Sequence, residues 1–329
     1  MSTPSYLLVV GTSIDPHISA VLSRICGDVR VVRFDVDKFP IELQLTVWNK
    51  GVEHAISTIV DDCCFDVENA GVAWFRRLGQ PVIPQTVPEH YRKFCLAECN
   101  HLLESALSML TPNHWVNEYW SCRKASLKLW QYEIASRAGL RTPHTLTSNS
   151  HYEILSRWHY LKNGVAKTLS APLVASSASF NEFAFTSKIA AQAPPSHEEL
   201  RASPIQFQEL IDPKFEARVT SISGQHYGVK IVSTENESVS QTRDWRSSYS
   251  SLEYEWIEVP RSIELSLTKC MSIMNLDFAA SDFIVTDSEE WYFLESNPHG
   301  AWLWLEEALG SDRITRAFAE HLTKLLSLN

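Results

Sequence analysis

The chain has 329 residues, 44% hydrophobic and 21% charged, with a net charge of −10. That length supports two or three cores, and the composition excludes a disordered or fibrous chain. The acidic balance argues against a nucleic-acid partner, which needs basic surface to displace counterions.

No apolar run reaches the ~18 residues of a membrane span, and Met1–Tyr6 lacks a basic start followed by an apolar core. No membrane association is therefore expected. The seven scattered cysteines fit reduced thiols in a cytoplasmic protein. Cys95 and Cys99 stand four apart with His101 nearby, but no second pair has zinc-ligand spacing.

The first third alternates strand and helix, the signature of an α/β unit with a parallel sheet. Tyr6–Val10, Val29–Phe34 and Ala70–Trp74 read as strands, Ile14–Ile25 and Glu89–Leu110 as helices, and Asp61–Glu68 as a loop. A dinucleotide fingerprint is absent after the first strand. This gives an N-terminal α/β domain over 1–115.

A central unit over 116–203 follows. Ser126–Gly139 reads as a helix with Gly139 at its C-cap, Val165–Leu169 as a strand, and Ser170–Ser203 as loops and short strands. The last unit, 204–329, reads as strands at Ile205–Ile211 and Glu216–Ile222, a turn at Ser223-Gly224-Gln225, and a returning strand His226–Val232. A helix at Ile263–Met274 precedes a second hairpin, Phe278–Thr286 with Trp291–Glu295, and the helix Arg313–Leu326 closes the chain.

The second hairpin carries the sharpest chemical signal. Alternation puts Glu295 and Asn297 on one side of an extended chain, and hairpin pairing brings Asp282 opposite them. Two carboxylates and an amide oxygen suit Mg²⁺ bound together with substrate phosphates. The plain alternative is a hairpin with solvated acids. Apolar flanks, Phe283-Ile284-Val285 and Phe293-Leu294, favour the cation, because a buried carboxylate needs a partner. Lys128, Lys167, Arg218 and Arg246 are the cations suited to a triphosphate, although each one alone is more often a surface charge; Lys167 is the sharper signal, because its strand is otherwise apolar. Phe207-Gln208-Glu209-Leu210-Ile211, with Lys214 and Glu216 beyond, offers an edge for a nucleobase and a carboxylate for ribose hydroxyls.

Taken in order, these pieces resemble one family. They run Ser126, Lys128 and Gln131, then Val165-Ala166-Lys167-Thr168-Leu169, Gln208-Glu209, Lys214 and Glu216-Ala217-Arg218. Asp244-Trp245-Arg246 and Phe293-Leu294-Glu295-Ser296-Asn297-Pro298-His299-Gly300-Ala301-Trp302-Leu303-Trp304-Leu305-Glu306 complete the series. The chain resembles the ATP-grasp ligases, and within them the microviridin-type enzymes that macrocyclise graspetides. Trp74-Phe75-Arg76-Arg77 is similar to the same subgroup.

The resemblance implies an ATP-grasp fold: an N-terminal pre-ATP-grasp domain, then central and C-terminal domains holding ATP between them. It implies Lys128 and Lys167 on the α- and β-phosphates, and Glu209 with the Leu210–Ile211 backbone on adenine. Glu216 would meet the ribose, and Asp282, Glu295 and Asn297 would bind Mg²⁺. Arg218 and Arg246 would face the γ-phosphate and the acyl phosphate. A precursor peptide, with leader and core, would be the substrate, and Ser170–Ser203 offers room to dock a leader. A homodimer is implied too. Arg76, Arg77, His299 and Trp302 are candidates for the peptide side: the arginines for acidic side chains or surface pairing, His299 as base or structural residue, Trp302 as groove lining or core. Ser296 and His299 depart from the family pattern. Two rival readings remain, a ligase for a small amino acid or protein C-terminus, and a nucleotide-dependent peptide-binding adaptor without turnover.

Overall fold

The computed structural model describes residues 6–51, 53–60, 63–67, 70–170, 173–177, 180–183, 187–189, 194–233 and 252–328. The chain opens with β1 (Leu7–Gly11), α1 (Pro16–Leu22), β2 (Val31–Asp35), β3 (Gln44–Lys50), β4 (Glu53–Val60), β5 (Cys63–Asp66), β6 (Val72–Phe75), α2 (Glu89–Met109) and β7 (His114–Val116). β2, β1, β6 and β7 form a four-stranded parallel sheet in that order. Its strands are apolar on both faces because both are covered. α1 starts where sequence chemistry says it should: the Asp15 carboxylate caps it and Pro16 occupies the first turn.

β3, β4 and β5 form a separate antiparallel sheet. None of these strands was expected, and β5 lies inside the stretch read as a loop. Their residues alternate polar and apolar over short spans, a weaker signal than the continuous apolar runs of β1 and β6.

Next come α3 (Tyr119–Ala125), α4 (Lys128–Ala138), β8 (Thr145–Ser148), α5 (His151–Leu161), β9 (Val165–Lys167), β10 (Leu173–Ser177), β11 (Phe180–Phe183), β12 (Ser187–Lys188), α6 (His197–Ala202) and β13 (Ile205–Gln208). Gly139, at φ 96°, closes α4 in the left-handed conformation. The sheet β12-β9-β13-β8 is antiparallel throughout. Phe207 packs one of its faces onto Ile154 of α5 and Leu200 of α6. β13 therefore belongs with the central strands, and a boundary at 203/204 would cut this sheet.

The remaining elements are β14 (Phe215–Ile222), β15 (Gln225–Ser233), β16 (Leu252–Ile257), α7 (Arg261–Met274), β17 (Phe278–Val285), β18 (Trp291–Asn297), α8 (Leu303–Ala308) and α9 (Arg313–Ser327). The strands form an antiparallel sheet, order β16-β15-β14-β17-β18, so β18 is an edge. Ala217, Val219, Phe283 and Phe293 pack from it onto Ile134 and Ala135 of α4 and Leu267 and Met271 of α7. That cluster runs on into Leu8, Val10, Ala73 and Phe75 of the parallel sheet and Leu103 and Leu107 of α2. The other face of the parallel sheet, with Leu7, Val9, Val72 and Trp74, buries Ile314, Phe318 and Leu322 of α9. The last helix of the chain thus seals the first sheet. Among the described residues no helix is long and apolar enough to cross a membrane.

Asn117, just after β7, ties the parallel sheet to the antiparallel one. Its carbonyl oxygen accepts from Asp277 N at 2.7 Å and Phe278 N at 2.9 Å, while its amide donates to Phe278 O at 2.8 Å. Asn117→Ala leaves these buried groups unpaired and should cost about 2–4 kcal/mol, read as a lower urea midpoint. A change below about 0.5 kcal/mol, the size of an ordinary surface substitution, would contradict this role.

Candidate functional site

The site begins with a register. β17 pairs β18 with Phe283 opposite Phe293, but Asp282 opposite Glu295; Leu294 is the extra residue of a β-bulge. Bulges re-aim side chains next to active sites. Without this one, Leu294 would face Asp282. With it, Asp282 and Glu295 stand side by side and Asn297 follows opposite Ala280. The pairing of Asp282 with Glu295 is reached by a device that simple alternation does not show.

Two carboxylates so placed need cations. Arg218 lies on β14 directly opposite Asp282, and its Nη1 donates to both carboxylate oxygens at 2.8 and 2.9 Å. Both residues are buried. Lys128, in the first turn of α4, places Nζ 3.6 Å from Glu295 Oε2 and 3.1 Å from Thr168 O, next to the Lys167 that ends β9. One ammonium therefore bridges β18 of the antiparallel sheet and the residue just after β9 of the central sheet. Tyr132, one turn later, accepts from Gln208 Nε2 at 3.0 Å on the polar face of the central sheet. Burial pushes its phenol pKa up, and the Glu295 charge adds to that shift.

The edge strand β18 is held in place by α4. Gln131 Oε1 accepts from Ser296 N at 2.7 Å and Gln131 Nε2 donates to Ser296 O at 2.9 Å, so one side chain completes the ladder that an edge strand lacks. The unusual Ser296 is satisfied as well, since Ser281 Oγ donates to its hydroxyl at 3.0 Å. Gly300 is required by close approach: a Cβ there would lie 2.3 Å from Ala280 Cβ and 3.0 Å from Arg218 Nη2.

The other candidates are placed as follows. Glu216 lies two residues before Arg218 on β14, on the same face. Glu209 turns back on His144, donating from its backbone N to His144 O at 2.8 Å and accepting from His144 N at 3.2 Å. The Leu210–Ile211 segment follows it beyond the end of β13. Arg246, with Trp245, lies outside the described residues. Among the described residues no cluster of three His, Cys, Asp or Glu suits a metal, so the candidate set consists of two carboxylates plus an amide.

Two peptide-side candidates are corrected. Trp302 is 0% exposed, stacked on Phe318 and donating from Nε1 to Thr315 Oγ1 at 2.9 Å. It is core and lines no groove. Arg76 is 2% exposed, with its Nε 3.3 Å from Asp15 Oδ2, and Nη1 donates to His299 O. It faces the protein and not a peptide. Arg77, 46% exposed and also 3.3 Å from Asp15, keeps an open side. His299 is packed edge-on against Phe75, its Nδ1 buried without a hydrogen-bond partner.

Asn117, Asp15 and His17 are the residues that sequence reasoning missed, and Gln131 entered it only as part of the family pattern, without a role. Only Asp15-Pro16 carried a local signal, that of a helix cap. The others act across more than a hundred positions, which no spacing rule detects.

Burial, reinforced by the Arg76 charge, pushes the His299 pKa down to about 4, and burial lowers that of His17 too. A base with a lower pKa in the folded state binds its proton more readily when unfolded. Stability should therefore be complete above pH ~6.5, fall as pH drops toward ~4, and level off below; His299 contributes on the order of 3 kcal/mol to that slope. Urea midpoints of His299→Gln should fall less across this window than those of the unsubstituted chain. Equal slopes would contradict the assignment.

The family model "MvdD pre-ATP grasp domain" matches residues 7–123, the segment that carries the parallel sheet. Among solved structures, the Chryseobacterium gregarium RiPP-associated ATP-grasp ligase, in complex with ADP and a leader and core peptide, superposes with a TM-score of 0.86 at 22% identity over 96% of each chain. Macrocyclase MdnC from Microcystis aeruginosa MRC, bound with precursor peptide MdnA, gives a TM-score of 0.80 at 25% identity over 97% of this chain and 99% of that one. Macrocyclase MdnB from the same organism gives 0.78 at 30% identity, again over 97% and 99%. None of the curated proteins matches. The expected ATP-grasp fold is what the structure has, and by its end-to-end likeness to MdnB the chain belongs to the ATP-grasp ligases of the microviridin type, the graspetide synthetases.

Proposed function

We propose that the chain is an ADP-forming ligase that macrocyclises a ribosomally made precursor peptide, activating a side-chain carboxylate as an acyl phosphate and joining it to a hydroxyl or amine. One observation carries the reading: Asp282 and Glu295 stand in cross-strand register, each with its own cation, in a chain similar throughout to macrocyclases. The donor set fits magnesium. It is made of hard oxygens on adjacent strands, and the Lys128 ammonium already occupies cationic space beside Glu295.

The charges define the roles. A carboxylate approaching a triphosphate brings anions together, and fixed cations offset that repulsion. Lys128 and Lys167 hold the α- and β-phosphates at the seam between the two sheets. The Leu210–Ile211 backbone, with Glu209 braced on His144, borders adenine, and Glu216 meets the ribose. Arg218 and Arg246 face the transferred phosphoryl group. Magnesium held by Asp282, Glu295 and Asn297 would supply charge neutralisation at the phosphates. Arg77, open on one side, orients an acidic side chain of the core peptide. His299, with its Nδ1 enclosed, serves as a wall of the site and not as a base. The leader docks along the central unit. The same reading has the enzyme act as a cytoplasmic homodimer, without nucleic acid or membrane.

The test combines enzyme, ATP, Mg²⁺ and a Thr/Ser- and Glu/Asp-rich candidate precursor. Peptide mass should fall by one water per link, with ADP released. Glu295→Ala should lower turnover by at least ~10²-fold, the usual scale for losing an electrostatic contact to the reacting phosphates. ATP consumption without mass loss would contradict the macrocyclase reading. A rise in mass by an added acceptor would indicate a small amino acid or protein terminus as substrate, and absence of ADP would indicate an adaptor.

A further inference from the structure

The segment after β18 has little regular structure, yet side chains from four distant places hold its backbone. Asn117 Nδ2 donates to Pro298 O at 3.3 Å, Arg76 Nη1 to His299 O, and Arg218 Nη2 to Ala301 O at 3.3 Å. His17 Nε2 accepts from Trp302 N at 3.1 Å and Leu303 N at 3.4 Å. An imidazole nitrogen that accepts two N–H bonds carries no proton, so the ring proton sits on Nδ1. Nδ1 lies 3.0 Å from Asp15 Oδ1 and donates to it. Asp15 in turn lies 3.3 Å from both Arg76 Nε and Arg77 Nε. Asp15, His17 and Arg76 are all buried.

We propose that Asp15, His17 and Arg76 are positioning residues through which the N-terminal domain sets the Asn297 amide for magnesium and nucleotide. The inference rests on the magnesium reading given above. Its path is continuous. Asn297 Oδ1 accepts from His299 N at 2.8 Å, and Asn297 O accepts from Gly300 N at 3.1 Å. The carbonyl of that same His299 is held by Arg76, and the chain three and four residues on is held by His17. A carbonyl oxygen with one lone pair used by His299 N keeps the other for a cation. Burying a carboxylate, an arginine and a histidine together is costly unless their geometry serves a purpose, and partners that orient ligands are a recognised one. An apolar trio would anchor the helix α1 as well, but would not dictate where the two N–H groups of Trp302 and Leu303 point.

The test is the Kd of Mg·ADP, measured by calorimetry alongside the unfolding midpoint. His17→Leu should weaken Mg·ADP about tenfold, the usual effect of removing a group that orients a metal ligand. His17→Gln, which keeps an acceptor near the Nε2 position, should recover most of that loss. In an Asn297→Ala background, His17→Leu should add less than about twofold, because it acts through Asn297. A lower unfolding midpoint with unchanged Kd overturns the proposal, as do effects of the two substitutions that multiply. Should Asn297→Ala alone bind Mg·ADP as the unsubstituted chain does, the magnesium reading fails and the proposal with it. If the leucine variant does not fold, Arg76→Lys carries the same test: it keeps a charge beside Asp15 but no longer reaches His299 O.

Discussion

Everything at the site depends on two like charges being held together. The bulge at Leu294 turns Glu295 to face Asp282 across β17 and β18. Left alone, such a pair would repel, and burial would make the repulsion worse. Arg218 from β14 and Lys128 from α4 make the arrangement possible. These cations come from a neighbouring strand and from a helix of another segment, so the pair exists only when the antiparallel sheet and α4 have docked. The same step links the central sheet to the pair, because the Lys128 ammonium also reaches the carbonyl beside Lys167.

The surrounding polar groups follow from that constraint. An edge strand would ordinarily leave backbone groups open, and Gln131 closes those of Ser296 next to the acids. A loop with little regular structure would ordinarily move, and Asn117, Arg76, Arg218 and His17 fix it from four directions. Three of those residues, His17, Arg76 and Asn117, come from the N-terminal domain that the family model spans. That domain contributes more than a platform: its first helix begins with the cap and the histidine that hold the loop after β18, and α9 packs back onto its sheet.

Much of this was legible in the sequence because it is local. The long helix at 89–109, the two hairpins, the Gly139 cap and the acid–acid–amide series are each contained in one short continuous stretch of chain. The rest depends on distance. β3–β5 were missed because short alternating strands resemble loops, and the boundary at 203/204 because β13 pairs backwards with β8 and β9. Arg76 and Trp302 stayed open between two readings for a shared reason: a motif says that a residue matters, not whether it faces a ligand or the interior. The bulge is invisible to alternation, yet alternation still named Glu295, because the carboxylate that fits was the one available beside Asn297.

The central claim is that Asp282 and Glu295 hold a divalent ion jointly with nucleotide. Electron paramagnetic resonance of Mn²⁺ in place of Mg²⁺ tests it without any peptide. Mn²⁺ should bind tightly only when ADP is present, and both Asp282→Asn and Glu295→Gln should release it while the chains remain folded. Mn²⁺ bound equally well by these variants, or bound without regard to ADP, would contradict the account.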